Sequence, residues 1–329
     1  MPLPLLILNL QARSYFEIDL GMFRRIREIM PNTLAHIGLH SVATKLLIKD
    51  ADIKWVYLGC LVPDIPWILQ RVIKVIVPEI NPYDLRLYVV IQSSLAFCLL
   101  LNLAISTLSA RYWKTFFILG LGSFLHLAID ALQTKWANGV QFLVPLNWNL
   151  MNFGLFWPES FPTYFLTLFG LVYFIWNWKK HGFLASTFPK LDFTRILTGM
   201  AILSLYFNIP NFFKIMALEA DNHYVETLQS TDQRSGKYVE VDRVFYTPVE
   251  SGGLLHHFSG EEIPVSGISL ETPSVVSIRG NFVNNHHIEV QEYHRHSRRL
   301  RDYASYLGIA LIGFYWTVVT ISSIGRIFK

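Results

Sequence analysis

Long apolar blocks separated by short polar segments run through most of the chain, and this pattern predicts membrane-spanning helices. A helix that crosses a bilayer needs about 20 mostly apolar residues. A shorter apolar segment, residues 33–48, is predicted to form a helix capped by Asn32 or Thr33, and its length suits a re-entrant or interfacial position. The longer blocks lie at about residues 55–77, 86–109, 112–133, 161–178, 193–218 and 303–325.

Residues 221–300 follow a different pattern, with many polar residues and short runs of alternating hydrophobicity. Each run suits a strand, so we expect a small antiparallel barrel or sandwich, with an OB-like barrel preferred. The last two runs predict a hairpin with its turn at Asn284 and Asn285. The runs are YVEVDRVFYTPV, EIPVSGISL, SVVSIRGNFV and HHIEVQEYH.

These patterns predict an α-helical polytopic membrane protein of about six spans, with the β domain inserted before the last span. Residues 1–29 lack the basic start and the cleavage site of a signal peptide. They are expected either to remain untranslated, with the true start at Met30, or to form a cytoplasmic amphipathic segment. The predicted units are a 1–29 extension, a 30–218 membrane helical domain, a 219–300 extracytoplasmic β domain and a 301–329 C-terminal transmembrane helix.

Composition supports a membrane protein. The chain is 52% hydrophobic and 16% charged, whereas about 25% of residues are charged in soluble proteins. The net charge of +4 says little about partners, and the chain has no run of basic residues, so lipids and not nucleic acid are expected. Cys60 and Cys98 both lie in apolar blocks, which favours small buried hydrophobes over a disulfide.

The placement of Lys and Arg predicts an orientation in the inner membrane by the positive-inside rule. Loops 134–160 and 219–302 then face outward, although the basic cluster Arg298, Arg299 and Arg301 also falls on the outer side. The basic residues assigned to the cytoplasm are Lys45, Lys49, Lys54, Arg111, Lys114, Lys179, Lys180, Lys190, Arg195 and Lys329.

Ionisable side chains inside apolar blocks are the candidate functional residues, because placing them in lipid is costly. His126 and Asp130 lie four residues apart and share a helix face, which suits either a metal site or a self-satisfied hydrogen-bonded pair. His36 and His40 repeat this spacing, and they form either a ligand face or ordinary histidines on an interfacial helix.

Asp64 lies between Pro63 and Pro66, where the first long block is expected to break or kink. A carboxylate in this apolar setting needs a cation, a metal or a proton. The structural alternative is that Asp64 caps the half-helix that follows it.

The motifs occur within about residues 30–150 as an early His, a Pro-Asp, a His-x-x-x-Asp, a Gly and a Pro. They are LAHIG (His36), LGCLVPDIPWI (Asp64) and LGSFLHLAIDALQTKWANGVQFLVP (His126, Asp130, Gly139, Pro145). This order resembles the bacterial inner-membrane metal-dependent hydrolase family, the membrane-bound domain-of-unknown-function proteins related to zinc-dependent phospholipase C. The family's Pro-Asp-Ile-Asp ends here in Pro66, and LYVVIQSS, with Gln92 and Ser93, stands where the family has a His-Arg-Gly-x-Thr-His-Ser run.

The resemblance implies a metal-activated water that attacks a lipid-like ester or phosphoester. Asp64 or Asp130 would serve as the catalytic base instead of a ligand. One divalent ion, zinc by expectation, would be held near the outer half of the bundle. The implied ligands are His36, Asp64, His126 and Asp130, with His40, Gln92 and Ser93 as supporting or substitute ligands.

Two other functions compete with the hydrolase. The missing ligands suggest a non-catalytic scaffold that presents the β domain to a partner protein. Alternatively, the intramembrane Asp and His residues suggest an ion or proton-coupled transporter, although the chain shows no inverted repeat.

The β domain is rich in histidine, and we expect these side chains to be exposed or to lie in loops. A second metal site is the alternative for His294 and His296, which share a face of the predicted strand. Glu159 is expected to be a solvated loop carboxylate. The other histidines of the domain are His256, His257, His286 and His287.

Overall fold

The larger part of the molecule is a helical bundle. The computed structural model describes residues 32–181, 192–221, 223–250, 252–296 and 300–327, so the predicted 1–29 extension lies outside the described residues. The α-helices are α1 (Thr33–Leu47), α2 (Ile53–Gly59), α3 (Ile65–Ile76), α4 (Pro82–Gln92), α5 (Leu95–Ser106), α6 (Tyr112–Leu132), α7 (Phe161–His181), α8 (Phe193–Asn208), α9 (Lys214–Ala220), α10 (Val225–Gln229) and α11 (Leu300–Ile327).

Several helical segments are long and apolar enough to cross a membrane, which indicates a membrane protein. Within the described ranges there are four such segments, or five if one bent helix pair counts as a span. The block predicted at 161–178 forms α7, which is not among them. The four segments are Ile53–Ile76, Tyr112–Leu132, Phe193–Ala220 and Arg301–Ser323, and the bent pair is Pro82–Gln92 with Leu95–Ser106.

Two of the predicted spans are interrupted. The break expected around Asp64 is confirmed, because the 3₁₀ turn Val62–Asp64 separates α2 from α3. Pro66 lies in the first turn of α3, where a missing N–H is tolerated. The segment predicted as one span over 86–109 is instead bent by 72° between α4 and α5. The bend occurs where Ser94 adopts an extended backbone.

Helix α1 packs inside the bundle and does not lie along its surface as an interfacial helix would. A Cβ on Gly170 of α7 would lie 1.8 Å from the carbonyl oxygen of Leu34, so the two backbones touch. Asn32 starts the helix, because its Oδ1 accepts a hydrogen bond from the backbone N–H of Ala35. The close packing carries His36 and His40 into the interior, where they are 1% and 0% exposed.

The β domain is a closed five-stranded barrel with the strand order β1-β2-β3-β5-β4. Its neighbours pair antiparallel except β3 and β5, which are parallel. The predicted hairpin is confirmed, but its turn is Asn285 and His286, because Asn284 pairs with His287. Strand β2 was not predicted from the sequence. The strands are β1 (Tyr238–Val249), β2 (Gly252–His256), β3 (Glu262–Ser266), β4 (Ser274–Asn284) and β5 (His287–Arg295).

The barrel contacts the bundle through the segment that follows α6. The backbone N–H of Ala137 donates to Glu240 Oε2 at 2.9 Å, and the Asn138 amide donates to Asp242 Oδ2 at 3.0 Å. Asp130 lies in the last turn of α6, so it is at the same end of the bundle as the barrel.

Candidate metal centre

Two histidines from different helices stack on each other and face one carboxylate. The rings of His36 and His126 lie 3.9 Å apart with planes within 2° of parallel. The Nε2 atom of His36 is 3.5 Å from Asp130 Oδ1, and that of His126 is 3.9 Å from Asp130 Oδ2. One ligand atom from each of the three lies within 4.8 Å of the others, so the group can hold a metal ion.

Asp64 extends this group from the broken helix. Its Oδ1 lies 3.3 Å from His126 Nε2. Its Oδ2 is buried and has no hydrogen-bond partner among the described residues. A buried carboxylate oxygen without a partner is costly, and a cation at this position would satisfy it. Two imidazole nitrogens with carboxylate oxygens are a donor set that suits a divalent metal such as zinc.

The surrounding contacts orient both imidazoles. The Nδ1 of His126 is 2.7 Å from the backbone oxygen of Cys60, and since a carbonyl only accepts, this nitrogen carries the proton. In the neutral ring, Nε2 then presents its lone pair toward Asp64 and Asp130. The Nδ1 of His36 lies 3.4 Å from His40 Nε2, so one of these two nitrogens can donate a hydrogen bond to the other.

Close glycine contacts fix the positions of the helices that carry the site. A Cβ on Gly122 of α6 would lie 2.9 Å from the Cα of Gly59, at the end of α2. This contact sets α6 directly against the segment that leads to Asp64. Helix α1 is held by α7, which carries none of the four residues, because a Cβ on Gly38 would lie 2.7 Å from the Cα of Gly170.

Lys135 is a member of the site that the sequence analysis missed. Its Nζ lies 2.8 Å from Asp130 Oδ2, and both residues are buried. The ammonium group occupies the carboxylate oxygen that faces His126, so Lys135 and a metal would compete for Asp130. Lys135 lies five residues beyond Asp130, just past the end of α6, where no helical spacing indicates a contact.

The two residues proposed as substitutes for missing ligands make other contacts. The amide of Gln92 donates to the Tyr88 hydroxyl at 3.2 Å and to the Tyr206 backbone oxygen at 3.4 Å. The Ser93 hydroxyl donates to the Val89 backbone oxygen at 2.8 Å, within its own helix turn. Neither belongs to the group that His36, Asp64, His126 and Asp130 form.

A second cluster lies where the barrel meets the bundle, and it corrects the expectation for Glu159. The Glu159 side chain is only 6% exposed and forms an ion pair with Arg243. Its Oε1 also lies 3.1 Å from His296 Nδ1. Burial raises the pKa of Glu159, but the His296 hydrogen bond and the Arg243 charge outweigh it and lower the pKa to about 2. Glu159 is therefore a buried carboxylate that is paired with barrel residues and not a solvated loop carboxylate.

The expectation of exposed or loop histidines is wrong for His294, which lies half-buried in β5 and stacks on Trp157 with ring centroids 3.7 Å apart. His257 and His296 lie outside the strands, as a loop position requires, but both are buried. Atoms of Glu159, His294 and His296 lie within the distance that a metal would need. However, His296 Nε2 is 2.7 Å from the Ser277 hydroxyl, and Arg243 already binds Glu159. In this second group, Glu159 Oε1 and both ring nitrogens of His296 are therefore already bound by protein partners.

No protein-family profile, curated protein or solved structure matches this chain. The resemblance to the metal-dependent hydrolases therefore remains a prediction from the motifs.

Proposed function

We propose that the protein is a membrane-embedded metal-dependent hydrolase that acts on a lipid-like ester or phosphoester. The observation that carries this proposal is the convergence of His36, Asp64, His126 and Asp130, from three separate chain segments, in one buried group. Ordinary buried histidines do not require two carboxylates around them, and ionisable groups at membrane depth mark functional sites.

In this proposal His36, His126 and Asp130 hold one divalent ion beside Asp64, with zinc favoured by its preference for imidazole and carboxylate ligands. A bound zinc ion supplies an electrophile and a water whose pKa is lowered to about 7. Asp64 is the better candidate for the catalytic base, because its Oδ2 has no protein partner among the described residues. Asp130 is the better candidate ligand, since both histidine Nε2 atoms face it.

The proposal includes an inner-membrane location with about six spans and the barrel outside the cytoplasm. The contacts of the barrel with the Asp130 end of α6 support a site that opens toward the outer half of the bilayer. The strand order and the parallel β3–β5 pair support the OB-like class for the barrel. The motif order of residues 30–150 supports kinship with the phospholipase C-related family.

Hydrolysis by purified protein in detergent micelles tests this function. Metal-loaded wild type should cleave a chromogenic short-chain ester or a phosphodiester. Asp64→Asn should reduce the rate by about 10²–10⁴-fold, the usual contribution of a general base. Ser93→Ala is the matched control, because its hydroxyl bonds within its own helix. Equal rates for wild type and Asp64→Asn would refute the proposed mechanism.

The scaffold function has one observation in its favour. Lys135 neutralises Asp130 at 2.8 Å, so this carboxylate is satisfied without a metal. A scaffold would retain its partner in His126→Ala, whereas deletion of the barrel, residues 238–295, would abolish partner binding. A metal-free wild-type protein that shows this behaviour would favour the scaffold.

A further inference from the structure

Arg301 is a buried guanidinium at the start of α11 that lacks the partners such a group requires. It is 3% exposed. Its Nε, Nη1 and Nη2 atoms are all buried without a hydrogen-bond partner among the described residues. A guanidinium cannot lose its charge by deprotonation and presents five N–H donors in a planar fork. An anion with several oxygens is the group that this side chain lacks.

The carboxylates in electrostatic range of Arg301 are already engaged by other groups. These carboxylates belong to Asp130, Glu159 and Asp242, and Arg243 adds a like charge. Lys135 binds Asp130 and Arg243 binds Glu159. The Asp242 side chain accepts from Ser277 and Asn138. Arg301 is therefore within electrostatic range of these carboxylates but donates no hydrogen bond to any of them.

Further donors lie in the segment that follows Glu159. The Ser160 and Thr163 hydroxyls are buried and have no hydrogen-bond partner among the residues the structure describes. Thr163 is 3% exposed and lies in the first turn of α7, a helix of 21 residues. Partially positive helix N-termini favour anions. Ser160 directly follows Glu159, one of the carboxylates within electrostatic range of Arg301.

Helix α11, which begins beside Arg301, packs against the helix that carries His36. A Cβ on Gly308 of α11 would lie 2.8 Å from Thr33 Cβ, so α11 touches the first turn of α1. His36 is one turn further along α1. The Ser305 hydroxyl donates to the Arg301 backbone oxygen and fixes the same part of α11.

We propose that Arg301, with the hydroxyls of Ser160 and Thr163, forms an oxyanion site that receives the phosphate group of the molecule on which the His/Asp group acts. That the bound phosphate belongs to a substrate rests on the proposed hydrolase function. That phosphate binds at this position rests on Arg301 itself. A fork of guanidinium donors with two hydroxyls fits a tetrahedral oxyanion better than a planar carboxylate. The site therefore favours a phosphoester over a simple carboxylic ester as substrate.

A structural alternative is a direct pair between Arg301 and Glu159, whose Oε2 also lacks a partner among the described residues. Under this alternative, Arg301 stabilises the fold but has no effect on anion binding. The two possibilities differ in whether phosphate affinity depends on Arg301.

The test is thermal unfolding of the full-length protein in detergent, titrated with sodium phosphate against sodium chloride at equal ionic strength. Phosphate should raise the wild-type midpoint progressively, as a ligand of the folded state does. Arg301→Gln should weaken the apparent affinity by about tenfold or more, since charge-assisted bonds are lost. Arg295→Gln is the matched control, because Arg295 is exposed and carries the same charge.

Two further variants keep the test decisive if Arg301→Gln does not fold. Arg301→Lys keeps the charge but loses the fork, and Thr163→Val loses one hydroxyl donor. Both should weaken phosphate binding while leaving the protein monodisperse. Equal phosphate affinity in wild type, Arg301→Lys and Thr163→Val would overturn the oxyanion site.

A second experiment distinguishes a soluble phosphate compound from a lipid headgroup as the ligand. It repeats the thermal unfolding in phosphatidylcholine nanodiscs with and without phosphatidic acid. Stabilisation by free phosphate identifies a soluble phosphate compound, and stabilisation by phosphatidic acid alone identifies a lipid headgroup. If neither stabilises the wild type in an Arg301-dependent manner, the proposal is wrong. Metal content, measured on the same samples, tests the oxyanion site and the metal-dependent hydrolase separately. If metal-free protein binds phosphate in an Arg301-dependent manner, the oxyanion site is supported and the hydrolase function is contradicted.

Discussion

The imidazole rings of His36, in α1, and His126, in α6, stack in parallel with their centroids 3.9 Å apart, although the two helices are far apart in the sequence. Both Nε2 atoms face the two oxygens of Asp130. One ligand atom from each of these three residues lies within 4.8 Å of the others, which is close enough for a single metal ion.

Lys135 should compete with metal for Asp130. Its Nζ lies 2.8 Å from Asp130 Oδ2. A metal ion that binds this oxygen must therefore displace the ammonium group and is also repelled by its positive charge. We expect Lys135→Met to bind zinc about tenfold more tightly than wild type, since both effects are removed. Competition with a chromogenic chelator measures this affinity, and Lys237→Met, in the turn before β1, is the control. Weaker zinc binding by Lys135→Met would show that Lys135 supports the site.

The contact between α1 and α7 should determine whether His36 reaches the site. A Cβ on Gly170 would lie 1.8 Å from the Leu34 carbonyl oxygen, so Gly170→Ala must separate the helices at a cost of about 1–3 kcal/mol. We expect a lower unfolding midpoint together with weaker metal binding. Gly313→Ala is the matched control, because no atom lies within 4 Å of its Cβ position. An equal midpoint for the two variants would contradict the described packing.

Glu159 should make the barrel contact sensitive to acid. Its pKa is lowered to about 2 in the folded protein, so the folded state binds fewer protons than the unfolded state, where the pKa is near 4.5. The stabilisation, about 3 kcal/mol, is present above about pH 4.5 and is lost as the pH falls toward 2.

Comparison of wild type with Glu159→Gln separates the stabilisation by the Glu159 carboxylate from the effects of the other acidic residues. The difference between their unfolding midpoints should stay constant from pH 7 to about 5 and then narrow as the pH falls further. A difference that persists unchanged at pH 3 would exclude the Glu159 carboxylate as its source.

Much of the architecture follows from sequence patterns that depend on near neighbours. The 3.6-residue spacing that puts His126 and Asp130 on one face, and the break that Pro63 and Pro66 impose near Asp64, are both local rules. Strand β1 was predicted over its full length, Tyr238–Val249, from alternation alone. The bend between α4 and α5 was not predicted, because the two helices taken together are apolar enough for a single span.

The features that the sequence did not predict depend on contacts between distant segments. Glu159 looked like a surface carboxylate because its partner, Arg243, lies in a barrel strand 84 residues away. Arg243 itself adopts a left-handed backbone at a bulge of β1, where the pairing register shifts between Val241 and Val244. Lys135 likewise showed no local signal, because only the turn after α6 brings it back to Asp130.

Metal content of the purified full-length protein tests the central claim most directly. Elemental analysis after removal of weakly bound ions should find about one divalent ion per chain in wild type, since the site offers a single group of His and Asp ligands. His126→Ala should lose this ion, while His256→Ala, in the barrel and 3.1 Å from Glu262, should retain it. A wild type with no bound metal after zinc loading, or a folded His126→Ala that binds as much as wild type, would contradict the claim that these residues form a metal centre.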